Sequence, residues 1–84
     1  MKLISSKYMN NYKFPLTFIS KESMEVDLFP LIGSYLKQDD LNTMNVNLEW
    51  GCLEFLQGKV DIEPKTLYKY AKNQSPLFKI DPLE

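Results

Sequence analysis

The stretch "VDIEPKTLYKYA", residues 60–71, changes its apolar period at a proline. Val60 and Ile62 alternate with acidic residues, which is the period of a strand with one buried face. After Pro64 the apolar residues fall three and four positions apart, which is the period of an amphipathic helix. Proline is favoured at the first helical position, where its missing N–H costs no hydrogen bond. The sequence therefore predicts a strand joined directly to a helix that begins at Pro64.

The residues around this proline have the spacing of a helix-start motif. Ile62 stands before the expected cap and Leu67 at the fourth helical position, which is the spacing of a hydrophobic staple. Asp61 and Glu63 lie near the helix N-terminus, where the macrodipole favours negative charge by about 0.3–1 kcal/mol. The predicted structural junction motif comprises Asp61, Ile62, Pro64, Leu67 and Tyr68. The alternative is a paired-carboxylate active site, for which the rest of the chain offers no partner group.

Two alternating runs upstream predict a hairpin, and a short apolar segment before them predicts a third strand. The inward residues are Tyr12, Phe14, Leu16 and Phe18 in the first run and Met24, Val26 and Leu28 in the second. A polar turn at residues 20–23 separates the runs, and Asn10 and Asn11 suit a tight turn before them. Pro15 predicts an edge strand or a position without a ladder hydrogen bond. Together these segments predict a three-stranded antiparallel meander.

The middle of the chain predicts a short helix and a second hairpin. Pro30 opens a helical pattern of one to two turns. Val46, Leu48 and Trp50 alternate before Gly51, and apolar alternation resumes after it, so we expect a hairpin that turns near Gly51. The predicted fold class is α+β, with an antiparallel sheet built from a three-stranded meander and a second hairpin and two short helices packed on one face.

The periodic segments define one domain. We predict a single α+β domain over residues 1–72, because the chain has the length of one small domain and the alternating and helical patterns end there. Residues 73–84 carry Pro76 and Pro82 and show no clear period, so we predict an extended C-terminal tail.

The charged residues argue against catalysis and against direct binding to nucleic acid. Ten basic residues face eleven acidic ones, for a formal net charge of −1, and all ten are lysines. Readout of bases and phosphates relies largely on arginine, whose planar group binds in a bidentate manner. The chain also has no histidine, the usual general base near neutral pH. We therefore expect no enzyme activity, no cofactor and no direct nucleic-acid binding.

The single cysteine and the short apolar runs indicate in which cellular compartment we expect the protein. Cys52 has no second cysteine for an internal disulfide, so nothing indicates an oxidising compartment. We interpret it as a small core residue rather than a nucleophile, because no histidine is present to activate it. No apolar run approaches the length of about 20 residues needed to span a bilayer. We expect a cytoplasmic protein that does not interact with a membrane.

Three features are candidates for an interaction surface. The lysines of the last helix, Lys65, Lys69 and Lys72, form either a solvated face or a docking surface for an acidic partner. Trp50 lies at a turn and either caps the apolar face of the sheet or is an exposed binding anchor. The tail contains Leu77, Phe78 and Ile80, which are more apolar than a free terminus requires. We expect a protein partner or a homo-oligomer.

Three ordered motifs resemble a small prokaryotic family catalogued as domain of unknown function 2442. The matching residues are Tyr12, Leu16 and Phe18, then Val26, Asp27, Leu28, Pro30, Leu31 and Ile32, and finally Asp61, Ile62, Pro64, Thr66, Leu67 and Tyr68. The resemblance covers residues 3–70. It implies an α+β fold without an established activity, in a family whose members stand alone or precede a helix-turn-helix domain. This chain departs from the family pattern at Phe55-Leu56, where a Trp-Pro is common.

These observations lead to a functional expectation with alternatives. We expect a small, non-enzymatic protein-interaction module, and the resemblance implies an antitoxin-like partner of another small protein. The alternative is an accessory domain of transcriptional regulation that acts with a separate DNA-binding protein. A concave apolar pocket with converging polar groups would instead indicate an enzyme or a small-ligand binder.

The composition generates a prediction about metals. With no histidine and one cysteine, and with Asp39 and Asp40 unaccompanied by a second ligand cluster, the chain should bind no structural or catalytic metal. Elemental analysis of untagged protein should find zinc and iron well below one atom per chain. One bound metal per chain would contradict this prediction.

Overall fold

A computed structural model describes residues 1–74 of the chain, and all structural statements below concern that part. The strands are β1 (Leu3–Ser6), β2 (Lys13–Phe18), β3 (Ser23–Asp27), β4 (Asn45–Asn47), β5 (Cys52–Phe55) and β6 (Val60–Ile62). The helices are α1 (Phe29–Ile32), a 3₁₀ helix (Gln38–Thr43) and α2 (Pro64–Gln74). The predicted α+β class is confirmed, and so are the last strand and the helix that begins at Pro64.

The first three strands form the predicted antiparallel meander, in the order β1-β2-β3. Asn10 adopts the left-handed backbone expected of the first turn, with φ 70°. Pro15 lies in the central strand, where it pairs with Glu25 of β3. The pairing of β1 with β2 ends at Ser6 and Leu16, so Pro15, the neighbour of Leu16 in β2, has no partner residue in β1. Pro15 therefore occupies a position without a ladder bond on the β1 side, which is the second of the two predicted alternatives.

The other three strands form a separate antiparallel sheet, in the order β4-β5-β6. The predicted hairpin is present and turns at Gly51, whose φ is 76°. Strand β4 ends at Asn47, so Leu48 and Trp50 belong to the turn and not to the strand that their alternation predicted. The backbone N–H of Leu3 donates to the carbonyl oxygen of Gly51 (3.1 Å) and connects the two sheets.

One apolar cluster is shared by both sheets and by all three helices. Its buried members are Leu3, Phe14, Leu16, Phe18, Val26, Leu28, Ile32, Leu36, Leu41, Leu53, Phe55, Ile62, Leu67 and Ala71. The inward residues predicted for the meander are confirmed, with Tyr12 and Met24 half-buried at its margin. Phe14 meets Phe55 edge to face, with ring centroids 5.7 Å apart, so aromatic packing crosses from one sheet to the other.

Helix α2 extends to Gln74, two residues beyond the predicted domain boundary at residue 72. The side chain of Gln74 explains the extension, because its Oε1 accepts from the backbone N–H of Asp27 (2.9 Å). Its Nε2 donates to the carbonyl oxygen of Asp27 (3.1 Å). The outer end of β3 is thus bonded by a helix side chain. The remainder of the predicted tail, with Leu77, Phe78 and Ile80, lies outside the described residues.

The packing of α2 generates a prediction about stability. Leu67 is fully buried in the shared cluster, whereas Lys69 is exposed on the same helix. Leu67→Ala should lower the free energy of unfolding by about 2–5 kcal/mol, because it leaves a cavity in the core. Lys69→Ala should change that free energy by less than about 0.5 kcal/mol. Urea denaturation of both variants measures the difference, and equal effects would mean that the helix face is assigned wrongly.

Candidate interaction surface

The turn between β4 and β5 holds Trp50 in solvent. Asn47 organises this turn, because its Oδ1 accepts from the backbone N–H groups of Glu49 and Trp50, both at 3.0 Å. The N–H of Gly51 donates to the carbonyl oxygen of Asn47 (2.6 Å). Trp50 is 64% exposed as a result. The interpretation that Trp50 caps the apolar face of the sheet is therefore wrong. Trp50 is exposed, as the alternative requires, and its role as a binding anchor stays a prediction.

Gly51 is required by the close approach of the N-terminal residues to this turn. A side-chain Cβ at residue 51 would lie 2.6 Å from the Cβ of Lys2 and 2.7 Å from its Cα. The ammonium group of Lys2 donates to the carbonyl oxygen of Glu49 (2.8 Å). The turn is therefore held from both sides, by its own asparagine and by the residue before β1.

Trp50 borders an open cleft of about 420 Å³ that extends to the start of α2. The cleft, here called the Trp50 cleft, is lined by Trp50, Cys52, Asp61, Glu63, Pro64 and Lys65. The structure thus brings together two of the predicted surface residues, Trp50 and Lys65, with two members of the junction motif, Asp61 and Pro64. The sequence separated these residues by up to fifteen positions, and the β5–β6 pairing joins them.

The junction itself has the predicted staple spacing. The carbonyl oxygen of Glu63 accepts from the N–H of Leu67 (2.9 Å), which makes Glu63 the residue that caps α2. Ile62 precedes that cap and Leu67 is fourth in the helix, and both are buried in the shared cluster. Asp61 and Glu63 point outward and are exposed. The acids of the motif therefore belong to the surface of the cleft, and its apolar residues belong to the core.

Cys52 lines this cleft and does not lie in the core, so the prediction of a core residue is wrong. It is half-buried on the outward face of β5. Burial raises the pKa of its thiol, and the negative charges of Asp61, Glu54 and Glu63 raise it further. A nucleophilic cysteine needs the opposite environment, with a positive neighbour that favours the thiolate. The surroundings of Cys52 therefore keep it a neutral thiol.

The lysines of α2 do not form one surface. Lys65 borders the Trp50 cleft, and Lys69 is exposed one turn further along the helix. Lys72 instead forms an ion pair with Glu22 of the β2–β3 turn, with 2.8 Å between Nζ and Oε2. Lys72 therefore contributes to the contact of α2 with the meander. Of the three lysines predicted to share one face, Lys65 and Lys69 remain exposed without this contact.

Glu22 is the centre of a polar network that sequence reasoning missed. Besides Lys72, its carboxylate accepts from the hydroxyl groups of Tyr68 (2.6 Å) and Ser20 (2.9 Å). The bonds from Lys72, Tyr68 and Ser20 lower the pKa of Glu22 to about 2. Tyr68 also packs edge to face on Phe18, with centroids 5.1 Å apart. Tyr68 of the junction motif thus anchors α2 to the first sheet.

Residues 1–74 contain neither a candidate metal site nor a helix that could span a membrane. No three histidine, cysteine, aspartate or glutamate side chains in this part of the chain are grouped so that they could hold a metal ion. None of the helices described here is long and apolar enough to cross a membrane.

Comparison of the chain with protein-family models, with curated proteins and with solved structures found no match. The resemblance to domain of unknown function 2442 therefore stays a prediction.

The Glu22 network generates a prediction about pH. Because the folded-state pKa of Glu22 is lowered, its contribution to stability is present above about pH 4.5 and is lost as the pH falls towards about 2. Thermal melts should show the wild type more stable than Glu22→Gln at pH 7, with the difference shrinking below pH 4.5.

Two lysine variants provide the control for this pH dependence. Lys72→Gln removes the bond that lowers the pKa of Glu22 most, so the acid-induced loss should shift to higher pH. Lys69→Gln changes an exposed lysine one turn away and should leave the profile unchanged. Identical profiles for the two variants would contradict the assigned network.

Proposed function

We propose that this protein is a non-enzymatic protein-interaction module that contacts its partner through the Trp50 cleft. The observation that carries the proposal is the 64% exposure of Trp50 on a turn held by hydrogen bonds from both sides. Tryptophan is enriched among the residues that dominate binding energy at protein interfaces. Because hydrogen bonds already fix the backbone of the turn, binding of Trp50 costs little backbone conformational freedom.

The charges of the cleft indicate the chemistry of the partner. Asp61 and Glu63 line one side of it, and Lys65 is the cation among the lining residues. A complementary segment would place an apolar side chain against Trp50 and a lysine or arginine against the two acids. This differs from the acidic partner that a stripe of three lysines suggested, because Lys72 is paired with Glu22.

The biological setting is part of the same proposal. An antitoxin-like partner of another small protein is supported by the near-neutral charge, by the absence of histidine and arginine, and by the resemblance. The alternative, an accessory domain of transcriptional regulation, requires that the partner be a DNA-binding protein, since this chain has no arginine to read bases. A cytoplasmic location is supported by the single half-buried thiol.

Affinity capture with matched variants tests the proposal. Wild-type protein, Trp50→Ala and Met9→Ala are immobilised and exposed to extract from the source cells, and bound proteins are quantified by mass spectrometry. Met9 is the control, because it is an exposed apolar residue that follows the far end of β1. Loss of a central tryptophan should weaken binding by about 30-fold or more, equivalent to about 2 kcal/mol.

The captured proteins distinguish the antitoxin-like setting from the regulatory one. A small protein lost from Trp50→Ala but retained by Met9→Ala supports the antitoxin-like partner, and a DNA-binding protein with the same behaviour supports the regulatory alternative. Trp50 is the sole tryptophan of the chain, so its fluorescence should change when the purified partner is added. Equal capture by all three proteins would overturn the assignment of the cleft.

A further inference from the structure

Strand β6 pairs with β5 along one edge, and within residues 1–74 no strand pairs with its other edge. A groove of about 510 Å³ runs along that free edge. It is lined on one side by five consecutive residues, 59–63, which include the cation Lys59, and on the other side by residues that include Leu31 and Tyr35. Consecutive residues line a groove when it follows the backbone edge of a strand, because the side chains on either face alternate. The edge therefore offers unpaired backbone groups beside an apolar wall.

We propose that residues 77–81 of this same chain occupy the groove as an additional strand on β6. The segment reads "LFKID" and lies between Pro76 and Pro82. Proline is tolerated just outside a strand, where its missing N–H breaks no ladder bond. The five residues between the two prolines therefore have the length and the boundaries of a short edge strand.

The side chains of the segment match the two faces of β6. Val60 and Ile62 face the core, and Asp61 and Glu63 face outward. In an added strand, Phe78 and Ile80 share one face and suit the apolar wall of the groove. Lys79 then falls on the outward face. Opposite charges on neighbouring strands stabilise the pair, so Lys79 complements the two exposed acids of β6.

The geometry of α2 allows the segment to reach the groove. Thr66 lines the groove, and Gln74 follows it by eight residues on the same helix, about 12 Å at 1.5 Å per residue. Gln74 is held at Asp27, two residues before α1, whose Leu31 forms part of the wall. An extended chain covers about 3.3 Å per residue, so about four residues after Gln74 span that distance, and Phe78 can reach the end of the groove at Thr66.

The occupant is the chain itself rather than a second copy. The site and the segment are linked by a short stretch, which gives the intramolecular contact a high effective concentration. Covering the edge in this way also removes the exposed backbone groups through which strands aggregate. The groove is distinct from the Trp50 cleft, although Asp61 and Glu63 border both.

Hydrogen exchange of the full chain tests the proposal. In the wild type, at least one outward-directed amide among Val60, Asp61 and Ile62 should be protected. Phe78→Ser should speed its exchange by about tenfold or more and lower the melting temperature by about 4 °C or more. Leu77→Ser, the matched control on the opposite face of the segment, should leave both nearly unchanged. Light scattering should give the mass of one chain throughout.

Two results would overturn the proposal. Fast exchange of every outward amide of β6 in the wild type would mean that the groove is empty in solution. A dimeric mass that Phe78→Ser converts to a monomer would assign the groove to the segment of a second copy.

Discussion

Ile62 and Leu67 enter one buried cluster from opposite sides of Pro64, and the remaining architecture depends on this shared burial. It fixes the direction in which α2 leaves β6, because both ends of the junction are held in the core. The helix then reaches the first sheet, where Tyr68 meets Phe18 and Gln74 bonds to Asp27. Two small sheets that would each be marginal on their own thereby acquire a common core.

Local patterns predicted the elements well because their causes are local. Alternation identified the meander, and the preference of proline for the first helical position identified the start of α2 at Pro64. The division into two sheets had no comparable signal, since it depends on how β1 lies against the turn at Gly51. Spacing also extended β4 to Trp50, because a period of two continues into a turn whose hydrogen bonds only the structure reveals.

How far the candidate surface residues could be predicted depends on the same difference between local and long-range causes. Asp61 and Lys65 lie close in sequence, and local patterns singled out Asp61 as part of the junction motif and Lys65 as part of the lysine face of the helix. Their meeting with Trp50 requires the pairing of β5 with β6, which no local pattern encodes. Lys72 and Glu22 are fifty positions apart, so the ion pair that removes Lys72 from the free surface could not be inferred. Long-range pairing decides which of several similar side chains remain available.

The two candidate surfaces meet at β6, whose outward acids border both. Asp61 and Glu63 contribute to the Trp50 cleft and to the groove along the strand edge. A positive group bound on either side therefore reduces the charge that the other side presents. We therefore expect charge binding at one surface to affect the other through two residues, Asp61 of β6 and the helix cap Glu63.

The tight contact between Gly51 and Lys2 has a consequence for molecular recognition. The turn that carries Trp50 packs directly on the backbone that leads into β1, because only the absence of a Cβ allows the two to touch. We therefore expect the indole to move mainly through its own side-chain rotations. Such a surface selects partners by shape rather than by mutual adjustment, so a ligand that fits would associate as a rigid body meeting a preformed template.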